Sequence, residues 1–246
     1  MEQVFRQPTS AALETTYEFC AGCGHGTSLR LVSEVIDELG LREETIGVLG
    51  VGCYSTNPVL FDFDCQFALH GRAPAMATAV KRLLPDRLVF TLQGDGDLTA
   101  IGTTEIVHAA TRGERFTTIM LNNSGYGETG GQMAPTTVIG QRTPSTPRGR
   151  DVAMDGHPTR MTQMLALLDG ATYVARVALN TPVNIARAKR AIRRAFEVQR
   201  TGQGFSMVEV LTACPSGWRL STLEAMKWME EVQMKTYPLG DLKVPA

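Results

Sequence analysis

Apolar residues recur along the chain with two periods, and the switches between them mark out the elements. Leu29, Val32, Val35, Ile36 and Leu39 fall mostly three and four apart and stop at Gly40, which predicts an amphipathic helix. A short apolar run over residues 46–51 reads as a strand. Residues 74–84 carry Met76, Ala79, Val80, Leu83 and Leu84 at helical spacing, with Pro74 in the first turn and Pro85 as the stop. Residues 87–93 read as strand, 98–112 as a helix offering Ile101, Ile106, Val107 and Ala110 for burial, and 116–121 as strand again. Later, 171–178 and 205–211 read as strands around a helix over 182–199, and 223–234 as a closing helix. Between these blocks, residues 134–160 are rich in Thr, Pro, Arg and Gly with no sustained period, so a long irregular loop is expected there.

Strands alternating with helices predict an α/β fold with a mostly parallel sheet and helices on both faces. In such sheets ligands sit beyond the carboxyl ends of the strands. The polar and glycine-rich clusters fall at those ends: Gly52-Cys53, Gly94-Asp95-Gly96-Asp97, Asn122-Asn123 and Cys214. Composition narrows the classes. With 24 Lys+Arg against 25 Asp+Glu the net charge is -1, which disfavours a nucleic-acid partner, and no apolar run approaches the ~18–20 residues that span a bilayer, so no membrane partner is expected either. Residues 1–19, with Glu2, Arg6 and Glu14, lack the apolar core of a secretory signal, and the chain reads as cytoplasmic. Five cysteines in a reducing compartment point to metal or catalysis before disulfides.

Asp95 and Asn123 are 28 residues apart, one strand-helix-strand unit, which places both at neighbouring strand ends. A carboxylate and an amide oxygen are hard ligands suited to Mg²⁺, which is completed by phosphate and water. Gly94 and Gly96 leave room for that phosphate, and the following helix turns N–H groups towards it. A diphosphate bridged by Mg²⁺ is the resulting expectation; each motif taken alone is equally compatible with ordinary turn chemistry. Cys20 and Cys23 form a CxxC in a glycine-rich turn, and Cys53 and Cys214 both follow strands, so four thiolates could gather at the same edge. Zinc, an iron–sulfur cubane, and scattered buried thiols all remain open on spacing alone.

Gly94-Asp95-Gly96 followed by Asn122-Asn123 resembles the thiamine diphosphate signature. With Asn122 to Gly127, Thr129-Gly130-Gly131-Gln132 and Leu69-His70-Gly71-Arg72-Ala73, the chain is more specifically similar to the beta subunit of the 2-oxoacid:ferredoxin oxidoreductases, over nearly its whole length. The resemblance implies a thiamine diphosphate-binding fold and a single domain over residues 1–246, with a Cys-rich segment at about 17–26 and the irregular loop at about 134–160. It implies Mg²⁺ on Asp95, Asn123 and the Gly125 carbonyl. It also implies a [4Fe-4S] cluster on Cys20, Cys23, Cys53 and Cys214, with Cys65 left over as a buried structural thiol. Contacts to the cofactor are expected from Gly52, Cys53, Tyr54, His70, Arg72, Gly96, Asp97, Gly127 and Glu128, and no catalytic residue is assigned on this chain.

The implied reaction is CoA-dependent oxidative decarboxylation of a 2-oxoacid to an acyl-CoA and CO₂, with electrons leaving through the cluster to ferredoxin. The Glu that activates thiamine comes from a companion subunit in that family, as do most contacts to substrate and CoA. The tail Tyr237-Pro238-Leu239-Gly240 looks most like subunits for branched-chain 2-oxoacids such as 2-oxoisovalerate. Two positions depart from the family pattern: Ala21 stands where Pro is common, and Glu128 where a bulky apolar residue precedes Thr129. Rival readings are a non-redox thiamine diphosphate decarboxylase subunit with structural zinc, and a cluster-bearing electron-transfer subunit. The basic run Arg187, Lys189, Arg190, Arg193 and Arg194 reads as the solvated face of its helix, with docking of an acidic electron carrier as the alternative.

Overall fold

The computed structural model describes residues 7–11, 18–55 and 61–245. Position 17, where the Cys-rich segment was expected to begin, and Glu2, Arg6 and Glu14 lie outside them. The first helix, α1 (His25–Leu39), ends where Gly40 takes a left-handed φ of 66°, open to glycine without strain. One side of the sheet is then built by β1 (Thr45–Leu49) and the edge strand β2 (Asp64–Phe67), followed by α2 (Ala73–Leu83) and β3 (Leu88–Gly94). A wide π-type turn over Asp97–Ile101 leads into α3 (Thr103–Thr111), and β4 (Thr117–Asn122) follows. After a long segment containing α4 (Val152–Asp155) and α5 (Met161–Ala166) come β5 (Ala171–Ala178), α6 (Pro182–Arg200) and β6 (Phe205–Leu211). The chain closes with α7 (Pro215–Trp218), α8 (Thr222–Trp228), a second π-type turn at Met229–Gln233, α9 (Met234–Thr236) and β7 (Gly240–Lys243).

These strands form one sheet in the order β2-β1-β3-β4-β6-β5-β7, parallel throughout except for β7, which runs antiparallel to β5. Burial on both faces follows from the strands themselves. In β3, Phe90 and Leu92 enter a core with Leu29, Val32 and Ile36 of α1 and Phe196 of α6, while Val89 enters the opposite core with Ala77 of α2 and Ile106 of α3. The expected mostly parallel α/β architecture with helices on both faces is therefore present. A third, smaller core joins Val138 of the long segment to Leu211, Met229 and Tyr237, tying the carboxyl-terminal tail to that segment.

Three features differ from the pattern-based expectations. The expected helix over 98–112 is split at Gly102, where a Cβ would lie 2.6 Å from the Asp97 carbonyl and 3.1 Å from Gly71; the backbone of the His70-Gly71 turn occupies the space a regular helix would need. The closing helix is likewise widened at Met229–Gln233. Strand β2 carries no apolar alternation, and all four of its residues are exposed. It includes Cys65, so the expectation of a buried thiol is corrected: an edge strand shows that residue to solvent.

Candidate functional site

The carboxyl ends of β1, β3 and β4 open on a cleft of about 250 Å³ lined by His25, Gly52, Cys53, Tyr54, His70, the Gly94–Asp97 turn, Asn123 and residues 125–129. A larger hollow of about 540 Å³ lies between α6 and β7, far from these turns, and its charged walls are arginines with Asp241. The converging acceptors and close backbone approaches belong to the smaller cleft.

Asp95 is only 2% exposed. Its Oδ2 accepts from the Gly125 N–H at 3.1 Å and from the Thr136 hydroxyl. Burial pushes its pKa up to about 7, against the lowering effect of those donors. Beside it, Asn123 is buried and its Oδ1 has no donor. An orphaned acceptor next to a desolvated carboxylate is costly unless a cation completes it, so this pair fits a hard divalent ion. The turn that presents them is held from several directions. Trp218 Nε1 donates to the Asn123 carbonyl at 2.9 Å, and Ser124, at a left-handed φ of 57°, donates its N–H to Asn122 Oδ1. Gly96 is glycine for a steric reason: a Cβ there would lie 2.6 Å from Tyr126 Cδ1.

The other expected cofactor contacts divide. Tyr54 is fully buried, accepts from the Gly94 N–H at 2.9 Å, and packs its ring where a Cβ on Gly52 would sit. Asp97 lines the cleft, but its carboxylate is taken up by protein donors: Gly71 N at 2.7 Å, Gln93 Nε2 at 2.6 Å and, more weakly, Val51 N at 3.4 Å. His70 Nδ1 lies 2.6 Å from the same carboxylate, too poorly aligned for a hydrogen bond, and the ring reaches the cleft. Arg72 is not brought in; its guanidinium pairs with Glu105 and reaches the Ile101 carbonyl. Glu128 is exposed at the rim near Cys53.

The thiols converge at the same edge. A Cβ on Gly127 would stand 3.1 Å from the Asn123 amide, 3.3 Å from Cys214 Sγ and 3.5 Å from Cys53 Sγ, so cation pair and thiols meet across one glycine. Cys20 and Cys23 are joined by a turn hydrogen bond of 3.0 Å, and Cys23 Sγ is 3.0 Å from His25 Nδ1. Burial pushes Cys23 up to about 11 and Cys53 up to about 12. Repulsion from the neighbouring Cys20 and Cys214 adds to both, so these thiols are held in the protonated form unless a bound cation draws off their protons. Among the described residues, no three His, Cys, Asp or Glu side chains close on a single-ion position.

Residues 50–210 match the family of thiamine pyrophosphate enzymes at their C-terminal TPP-binding domain. The chain is 41% identical to the ketoisovalerate oxidoreductase subunit VorA of Methanothermobacter thermautotrophicus, over 99% of this chain and 51% of that protein. It is 36% identical to the 2-oxoglutarate synthase subunit KorB of Archaeoglobus fulgidus, over 87% of this chain and 75% of that one. The chain belongs to the 2-oxoacid:ferredoxin oxidoreductase family. It also superposes on a solved 2-oxoglutarate:ferredoxin oxidoreductase from Magnetococcus marinus with a TM-score of 0.79 and 27% identity, covering 99% of this chain and 86% of that one. The chain spans about half the length of the VorA relatives it matches. No helix among the described residues is long and apolar enough to cross a membrane.

This member of the family carries supports that sequence reasoning did not single out: Thr136 on Asp95, Trp218 on Asn123, and Glu209, whose Oε1 accepts from Asn122 Nδ2 at 2.6 Å. Only Glu209 left a signal. It is a lone acid in an apolar strand, and its register partner Arg176 is a lone base in another.

Proposed function

We propose that this chain is the cofactor-bearing beta subunit of a CoA-dependent 2-oxoacid:ferredoxin oxidoreductase, with 2-oxoisovalerate or a related 2-oxoacid as substrate, ferredoxin as electron acceptor, and residues 1–246 acting as one thiamine diphosphate-binding domain in the cytoplasm. Bound thiamine diphosphate supplies the electron sink for decarboxylation, and a bound [4Fe-4S] cluster supplies one-electron acceptance. On this chain, Asp95, Asn123 and the Gly125 carbonyl would hold Mg²⁺, and Cys20, Cys23, Cys53 and Cys214 the cluster. Gly52, Gly96 and Gly127 let backbone approach the cofactor, Tyr54 walls the cleft, and His70 and Glu128 stand at its rim. Asp97 orients the His70-Gly71 turn.

The observation that carries this reading is the orphaned Asn123 Oδ1 beside Asp95, one glycine away from Cys53 and Cys214. What supports a cluster over zinc is the ferredoxin-coupled chemistry named for a relative of this chain, since zinc has no redox chemistry to offer it. No activating Glu for thiamine is assigned on this chain, and a companion subunit is proposed to bring it together with contacts to the 2-oxoacid and CoA.

The test is anaerobic purification followed by iron, sulfide and zinc analysis, thiamine diphosphate titration, and assay of CoA-dependent viologen reduction with 2-oxoisovalerate. Expected are about four iron and four sulfide per chain, Mg²⁺-dependent cofactor binding, and turnover only with the companion subunit. Zinc in place of iron, or robust turnover by the chain alone, would overturn the proposal.

A further inference from the structure

Among the polar residues buried in this chain, Arg150 is the least expected. It is 5% exposed and has no carboxylate partner within ion-pair distance among the described residues. Its guanidinium instead donates to six carbonyl oxygens of the long segment: Ala134, Pro135, Thr137, Asp155, Gly156 and His157. A desolvated guanidinium is tolerated because each N–H finds an acceptor, and the result is a segment with no regular period folded around one side chain.

What that segment delivers is Thr136. Its neighbours on both sides are fixed by Arg150, and its own carbonyl accepts from the Tyr237 hydroxyl at 2.6 Å. Thr137 donates to the Ser124 carbonyl at 2.8 Å, anchoring the segment to the turn that bears Asn123 and Gly125. With its backbone fixed this way, Thr136 donates its hydroxyl to Asp95 Oδ2, the oxygen that also accepts from Gly125 N. Both of these donors fall on one carboxylate oxygen, beside the further support of the Gly96 backbone N–H, and Thr136 is the side-chain donor among them.

We propose that Thr136, held by the Arg150-centred segment, is a positioning residue for the divalent cation, setting the orientation of Asp95 and hence the affinity for Mg²⁺ with thiamine diphosphate. This rests on the cofactor reading above and adds to it a residue remote in sequence from the signature. Supporting donors around a metal-binding carboxylate generally contribute 10- to 100-fold in metal affinity.

The experiment compares wild type with Thr136→Val, which keeps the shape and loses the hydroxyl, and Thr136→Ser, which restores it. Mg²⁺ is titrated at fixed thiamine diphosphate by calorimetry, with thermal unfolding of the cofactor-free protein in parallel. Expected is a weakening of Mg²⁺ affinity by about 10-fold or more in Thr136→Val, and recovery to within about 3-fold in Thr136→Ser. Equal Mg²⁺ affinity in wild type and Thr136→Val overturns the inference while leaving the cofactor reading intact. Absence of Mg²⁺-dependent binding in wild type overturns both. Should Thr136→Val not fold, Arg150→Lys carries the same test without altering Thr136 or Asp95. A lowered Mg²⁺ affinity there supports the inference, and an unchanged one overturns it.

Discussion

Replacing Arg176 by Met removes the charge from the most deeply buried ion pair in the described structure. Arg176 and Glu209 face each other in register across β5 and β6, with side-chain exposures of 0% and 1% and an Nε–Oε2 distance of 2.7 Å. Arg176 also donates to Gln163 Oε1 at 2.6 Å and the Pro238 carbonyl at 3.2 Å, and lies over the Tyr237 ring. Met fills most of the volume but leaves the buried Glu209 carboxyl without its counter-charge. Breaking such a pair from one side costs about 3–5 kcal/mol, against a total of about 5–15 for a typical protein. In urea, with a slope of about 2–3 kcal/mol per M, the midpoint should fall by about 1–2 M.

Glu209 also accepts from Asn122, whose Oδ1 holds the Ser124 N–H, so the same variant should weaken Mg²⁺ binding at the turn. Equilibrium urea unfolding at neutral pH decides it. A cost below about 1 kcal/mol would refute the reasoning.

Two further outcomes are expected. A Cβ on Gly50 would stand 2.9 Å from Asp97 Cγ and closer still to Oδ2, and that carboxylate is pinned by Gln93 and Gly71. Gly50→Ala should therefore cost about 1–3 kcal/mol and speed hydrogen exchange at the Gly71 amide; unchanged exchange would show that the carboxylate yields freely. Cys214→Ser should strip most of the iron from anaerobically purified protein, whereas Cys65→Ser, on exposed β2 away from the cleft, should retain it. The reverse pattern would mean that the four-thiol set is wrong.

Legibility from sequence tracked how local each cause was. The apolar runs of β5 and β6 were read to their end residues because strands buried on both faces need unbroken hydrophobic stretches. Strand β2 was invisible because Asp64, Cys65, Gln66 and Phe67 form an exposed edge held by pairing to β1. The break at Gly102 was hidden because its cause, Gly71, lies far upstream. Arg72 is expected at the cofactor because a guanidinium can fork onto phosphate, but Glu105 competes for it across a helix interface that no local pattern records. Asp97 shows the opposite lesson: a carboxylate in a signature-like turn can be consumed by the scaffold, with three protein donors where a ligand contact was expected.

The supports that escaped sequence reading have a common physical origin. A glycine-rich turn can bring Asn123 and the Gly125 carbonyl near Asp95, but the freedom that lets it approach a ligand also leaves it poorly fixed. Rigidity must come from outside, and here it comes from carboxyl-terminal residues and the long segment: Trp218 on the Asn123 carbonyl, Gln233 on the Asn122 carbonyl and Ser124 hydroxyl, and Thr137 and Gln141 on the Ser124 carbonyl. Those groups are carried by elements that share the third core of Val138, Leu211, Met229 and Tyr237. Packing in that core is therefore coupled to the geometry of the cation site, most directly through Trp218, which packs against the core and donates to the Asn123 carbonyl. Substitutions that loosen it should affect cofactor binding before they affect the sheet, whose two larger cores are formed by other residues.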